Sequence, residues 1–106
     1  MKRILFALAL IYLAGCKKND VTVASTCNQQ ISYQNTVRPI FIAHCTAGGC
    51  HDGGDLPSLG DYLVAHDAAQ QIRSAVISGV MPKNGTLSNS DKQSIICWID
   101  AGAKNN

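Results

Sequence analysis

The chain has 106 residues, which is enough for one small domain, and 46% of them are hydrophobic. Nine Lys and Arg residues face seven acidic residues, all of them Asp, and without Lys2 and Arg3 the two signs balance at seven each. This balance lacks the basic excess of a nucleic-acid-binding surface. Glu is absent, and no Ser/His/Asp or paired-carboxylate arrangement is present, so the sequence does not predict an enzyme.

The first stretch, residues 1–15, has the pattern of an export signal. A positive start precedes an apolar run at 4–13, and small residues lie just before Cys16. The run is shorter than the roughly 20 residues that a membrane-spanning helix needs. The pattern resembles a bacterial lipoprotein signal, which implies cleavage before Cys16, acylation of its thiol, and a domain anchored in the cell envelope that faces the periplasm or the cell surface. The mostly polar residues 16–30 are predicted to form a flexible tether.

Residues 31–106 form the predicted domain. Its first part, 32–44, carries apolar side chains at helical spacing. Pro39 leaves two interpretations open, because proline is comfortable only in the first turn of a helix. Either Thr36 caps a short helix, or a longer helix from Ser32 tolerates a kink.

Two thiols and an imidazole lie within residues 45–51, CTAGGCH. Two cysteines followed directly by a histidine form the arrangement that attaches a c-type haem, with the thiols bonded to vinyl groups and the imidazole as an axial iron ligand. Four residues, instead of the usual two, separate Cys45 from Cys50, and a glycine pair between them makes the longer loop sterically easier. A disulfide between these cysteines, or a tetrahedral zinc site that includes His51, is the alternative.

Export would also place the remaining cysteines in an oxidising compartment. Thiols beyond the inner membrane are expected to pair unless lipid or a cofactor takes them. With Cys16 assigned to lipid and the motif cysteines to haem, Cys27 and Cys97 remain as a candidate disulfide between the two ends of the domain. A bridge that closes so long a loop would stabilise the fold by about 4 kcal/mol.

The helices after the motif are predicted from caps and apolar stripes. Residues 61–65 are predicted as a short helical turn, and Asp67 as the N-cap of a helix that ends at Gly79. Ser88 is predicted to cap the last helix, in which Trp98 belongs to the core. The sequence shows no strand-like alternation, so the predicted fold class is all-α.

Met81 is the only methionine that remains once the signal segment is removed. A methionine is ordinarily a core gap-filler. A thioether opposite histidine, however, completes six-coordinate haem iron and raises its reduction potential. His44 and His66 are the alternative axial ligands, the first expected at the surface or near a haem propionate and the second in a loop.

Taken in order, these parts resemble the small class I cytochromes c. The resemblance runs through VRPIF at 37–41, the Met-Pro pair, LSNS at 87–90 and WIDAGA at 98–103, and is typical of single-domain lipoprotein cytochromes of bacterial envelopes. It implies three to four helices around one covalent haem, with the first helix packed against the last. The site residues that it implies are thioethers at Cys45 and Cys50 and axial ligands His51 and Met81.

The family resemblance also implies a function. A monomeric protein of this kind passes single electrons between redox partner proteins in the envelope. Two other functions stay open from the sequence: a zinc-stabilised or disulfide-stapled binding module without haem, and a redox or gas sensor in which Met81 does not bind and the iron keeps an open position.

Overall fold

The computed structural model describes residues 27–47, 50–54 and 56–106. The predicted signal 1–15, the predicted lipidation site Cys16 and the tether up to residue 26 lie outside the described residues. Within them the chain is helical without strands, which confirms the all-α prediction at this level. The helices are α1 (33–46), α2 (Tyr62–Asp67), α3 (Ala69–Ser78) and α4 (Asn89–Asp100). None of the helices in this described part is long and apolar enough to cross a membrane.

Helix α1 contains a proline and accommodates it by widening. Its three consecutive parts are a π-helical turn Tyr33–Val37, an α-helical turn Arg38–Phe41 and a second π-helical turn Ile42–Thr46. Ser32 is the N-cap, because its side-chain oxygen accepts a hydrogen bond from the N–H of Asn35. The longer of the two predicted helices is therefore the one that forms, and Thr36 is not its cap. Pro39 lacks an N–H and crowds the preceding turn, and the wide π-helical turn before it relieves this crowding.

Helices α2 and α3 are almost continuous, and one predicted cap is wrong. Asp61 caps α2, with its Oδ1 accepting from the N–H of Leu63 at 2.9 Å. Asp67 is the last residue of α2, and Ala68 precedes α3 without a side-chain cap. Gly79 ends α3 in the left-handed conformation with φ of 77°, as predicted.

Helix α4 packs against α1 through aromatic side chains. Ser88 is its N-cap, as predicted, and Trp98 is only 1% exposed. The Trp98 ring lies 5.2 Å from that of Tyr33 and 6.2 Å from that of Phe41, measured between centroids. Other core side chains are Val37, Leu59, Ala65, Ile72, Val76, Leu87, Ile95 and Ile99. The core residues of α1 belong to its first two parts, and the partly buried Cys45, in the last turn where the Cys/Cys-His motif begins, packs against this core.

A disulfide and an ion pair hold α4 to other parts of the chain. A disulfide joins Cys27 to Cys97 on α4 across 70 residues, the pairing that the sequence predicts. Arg73 of α3 donates from Nε to Oδ1 of Asp100 at 2.8 Å, and this carboxylate raises the pKa of Arg73. The disulfide thereby connects the exposed residue Cys27 to α4.

Candidate functional site

The motif begins inside the last turn of α1. Cys45 lies in the π-helical part of this helix, is half-buried, and packs against the hydrophobic core. Thr46 stabilises the last turn of the helix, since its hydroxyl donates a hydrogen bond to the C=O of Ile42 at 2.9 Å. Cys50, by contrast, is exposed in an irregular bend. The two thiols of the motif therefore have different surroundings.

A backbone hydrogen bond closes the motif into a loop. The N–H of His51 donates to the C=O of Cys45 at 3.0 Å. If only two residues separated the cysteines, these same backbone groups would be four positions apart, which is the spacing of an α-helical hydrogen bond. The two extra residues of this motif therefore lie between Cys45 and His51, whose backbones are joined by the hydrogen bond. Residues 48 and 49 themselves lie outside the described residues. The first cysteine and the histidine are held together despite the longer spacing.

His51 is also tied to the core from its other side. Its C=O accepts from the N–H of Leu59 at 3.1 Å, and Leu59 is a core residue. The hydroxyl of the buried Tyr33 donates in turn to the C=O of Leu59 at 3.4 Å. This path of hydrogen bonds fixes the backbone of His51, whose side chain is half-buried. The residue pattern does not reveal the roles of Leu59 and Tyr33, because both act through the backbone carbonyl of Leu59 or its neighbouring N–H, which any residue could supply.

Burial raises the pKa of the Cys45 thiol to about 11, and the neighbouring Cys50 acts in the same direction. Cys45 is therefore a protonated thiol at neutral pH. Both Cys45 and Cys50 are free thiols in the structure, so the disulfide that the sequence left open between them is not formed here.

Met81 lies just beyond α3 and is half-buried. Its N–H donates to the C=O of Ala75 at 3.3 Å, which fixes its backbone at the end of this helix. Val80 beside it is 62% exposed, so this corner presents apolar surface to solvent. Among the described residues, the hydrogen bonds that connect Cys45, His51 and Leu59 do not extend to Met81.

Each of the two alternative histidine ligands contacts an aspartate. His44 is at the surface, as predicted, and its Nε2 lies 3.8 Å from Oδ2 of Asp91 at the start of α4. His66 lies on α2 and not in a loop, so that prediction is wrong. Its Nδ1 is 3.3 Å from Oδ1 of Asp67, and its ring centroid is 5.6 Å from that of Tyr62.

Two surface depressions, of about 370 and 330 Å³, lie away from the motif, beside the chain at residues 27–31 and the disulfide. In the described part of the chain, no group of three or more His, Cys and Asp side chains is placed to hold a metal ion. Thioether attachment does not require such a group, because the sulfurs bond to the porphyrin edge and not to the iron.

Comparisons of the chain with models of protein families, with curated proteins and with solved structures found no match.

Proposed function

We propose that this chain is a c-type cytochrome, a haem-binding electron-transfer protein without enzymatic activity. The observation that carries the proposal is the closed motif, in which the His51 N–H donates to the C=O of Cys45. Cys50 directly precedes the histidine, so two thiols and one imidazole belong to a single short loop. This is the set of groups that covalent haem attachment uses.

Each residue of the motif has a chemical role in this proposal. Cys45 and Cys50 would hold the edge of the porphyrin through thioether bonds, and His51 would bind the iron. The backbone of His51 is hydrogen-bonded on both sides, to Cys45 and to Leu59, so its imidazole is carried by a fixed segment. When bound, the haem supplies a one-electron iron couple, while the protein supplies attachment and axial ligands.

Met81 is the second axial ligand that we propose. It is half-buried, and its backbone is fixed at the end of α3 by the bond to Ala75. The competing imidazoles of His44 and His66 each lie against an aspartate. A thioether opposite histidine also suits an electron carrier, because it raises the reduction potential of the iron.

We further infer that the helices are arranged as in small class I cytochromes c. The packing of α1 against α4 through Trp98, Tyr33 and Phe41 supports this arrangement. The lipoprotein pattern before Cys16 supports a lipid anchor in the cell envelope, where redox proteins would be the partners of a monomer. Such an anchor would hold the domain at a membrane surface without a spanning helix.

A visible absorption spectrum of the full chain, produced in a host that attaches c-type haem, tests this function. The expected result is a low-spin spectrum that changes on reduction, and a variant with Cys45→Ser and Cys50→Ser should be colourless. A colourless parent that contains zinc, or a Cys45–Cys50 disulfide, would instead indicate the binding module. A parent spectrum that shifts when carbon monoxide is added would indicate an open iron position and the sensor.

A further inference from the structure

We propose that the two thiols of the motif form their bonds to haem in a fixed order, Cys50 first and Cys45 second. This inference rests on the proposed haem function and concerns how the site is assembled. It follows from a difference between the two cysteines that the sequence motif does not reveal.

The two thiols differ in accessibility. Cys50 is exposed in the bend after the loop. Cys45 is half-buried on the last turn of α1 and packs against the core. A large planar reactant from solvent can meet the Cys50 sulfur without movement of the chain, whereas access to the Cys45 sulfur needs local opening at the end of α1.

Three contacts oppose such an opening. The hydroxyl of Thr46 donates to the C=O of Ile42 at 2.9 Å, and His44 lies 3.8 Å from Asp91. The hydrogen bond from the His51 N–H to the C=O of Cys45 is the third contact, at 3.0 Å. Together they keep Cys45 against the core while Cys50 remains free to react.

Each attachment is the addition of a thiol to a vinyl group. The S–H bond and the π bond of the vinyl group break, a carbon–sulfur bond forms at one vinyl carbon, and the proton ends on the other carbon. No electron is gained or lost overall, so the step needs no further reactant. After Cys50 has reacted, the second addition is intramolecular, and its high effective concentration offsets the poor access to Cys45.

Single serine variants of the full chain, matured in the same haem-attaching host, test the order. Cys45→Ser should keep one thioether at a yield close to that of the parent. Cys50→Ser should lower the yield roughly tenfold or more, because the less accessible thiol must then react first. Equal yields, or a higher yield from Cys50→Ser, would overturn the order but leave the haem function standing, whereas a parent without haem would overturn both.

Alkylation of the haem-free full chain gives a second test that does not depend on haem. With the Cys27–Cys97 disulfide intact, iodoacetamide should label Cys50 roughly tenfold or more faster than Cys45 under native conditions. The two rates should become similar after denaturation, since the difference comes from the fold. Equal native rates, or faster labelling of Cys45, would overturn the proposed order.

Discussion

At the scale of single residues, the proposed sixth ligand gives the first prediction. Met81→Ala should remove the sulfur-to-iron charge-transfer band of the oxidised protein, lower the reduction potential, and let imidazole or carbon monoxide bind. Covalent attachment should be unchanged, because it depends on Cys45 and Cys50. Far-red absorption and a redox titration measure these effects.

His66→Ala is the matched control for this substitution. His66 lies on α2 against Asp67 and Tyr62, so its removal should leave both the band and the potential unchanged. Loss of the band in His66→Ala, or its survival in Met81→Ala, would contradict the assignment of Met81.

A second prediction at this scale concerns alkaline pH and the haem-free chain. The folded-state pKa of Cys45 is about 11, above its ordinary value of 9.0, because the thiol is buried. Between these values the unfolded chain binds fewer protons at this residue than the folded chain, so the free energy of unfolding should fall as pH rises. Below pH 9 the contribution of Cys45 should be fully present. Urea unfolding at several pH values measures this dependence.

Cys45→Ser is the control for the alkaline effect, since Tyr33, whose pKa burial also raises, stays in place. The variant should lose less stability than the parent across this pH range. In the haem-attached parent this alkaline loss of stability at Cys45 should also vanish, because a thioether sulfur has no proton to lose. Identical pH dependence of the haem-free parent and the variant would contradict the burial of this thiol.

The sequence predicts a site residue when its side chain does the work and lies near the others in the chain, and fails when a backbone group or a distant residue is involved. Cys45, Cys50 and His51 lie within seven residues of one another in the chain, so their association could be predicted from spacing alone. Leu59 holds His51 through a backbone carbonyl and N–H network, which has no side-chain signature. Met81 comes from a distant part of the sequence, and its relation to the motif depends on tertiary packing, which spacing does not determine.

At the scale of elements, the third prediction concerns the length of the loop between Cys45 and Cys50. Deletion of residues 48 and 49 would give the common CTACH spacing, and the bond from the histidine N–H to the Cys45 C=O would then have α-helical spacing. We expect this shortened chain to attach haem at both cysteines with a spectrum like that of the parent. Insertion of two further glycines at the same place should lower the yield, because a longer loop is harder to close.

The haem content of each loop variant, measured as absorbance per chain, checks this prediction. A shortened variant without haem would show that the longer loop is required and not merely accommodated by its closing hydrogen bond.

The fourth prediction concerns the contribution of the Cys27–Cys97 disulfide to stability. Replacement of both Cys27 and Cys97 by alanine should lower the free energy of unfolding by about 4 kcal/mol, because the bond closes a loop of 70 residues in the unfolded chain. Urea unfolding of the parent after reduction should give a similar loss. Peptide mapping without reducing agent should recover the two cysteines linked, and a link from either one to Cys45 or Cys50 would contradict both the bridge and the haem assignment.

The elements also show where local rules succeed and where they fail. Ser88 and Gly79 mark helix ends as predicted, since their signals are local and unopposed. Asp67 looks like a cap in the sequence, but α2 extends through it and only Ala68 separates α2 from α3. Pro39 left two interpretations of the first helix open, because the sequence alone does not show whether a helix widens around a proline, as α1 does in its π-helical turns.

At the scale of the whole molecule, composition and patterning predict the all-α class, and the described residues confirm it. The family resemblance also implies that the first helix packs against the last, and the aromatic contacts of Trp98 show this packing. The placement of a haem between the motif and Met81 remains the central proposal, because in the described residues the hydrogen bonds of the motif do not extend to Met81.

One measurement tests this proposal most directly: the intact mass of the full chain, purified after export in a haem-attaching host and analysed under denaturing conditions. We predict that the polypeptide carries the added mass of one haem, and that proteolysis leaves this mass on the peptide that contains residues 45–51. A polypeptide that loses all colour on denaturation, and whose mass contains no haem, would contradict covalent attachment at Cys45 and Cys50.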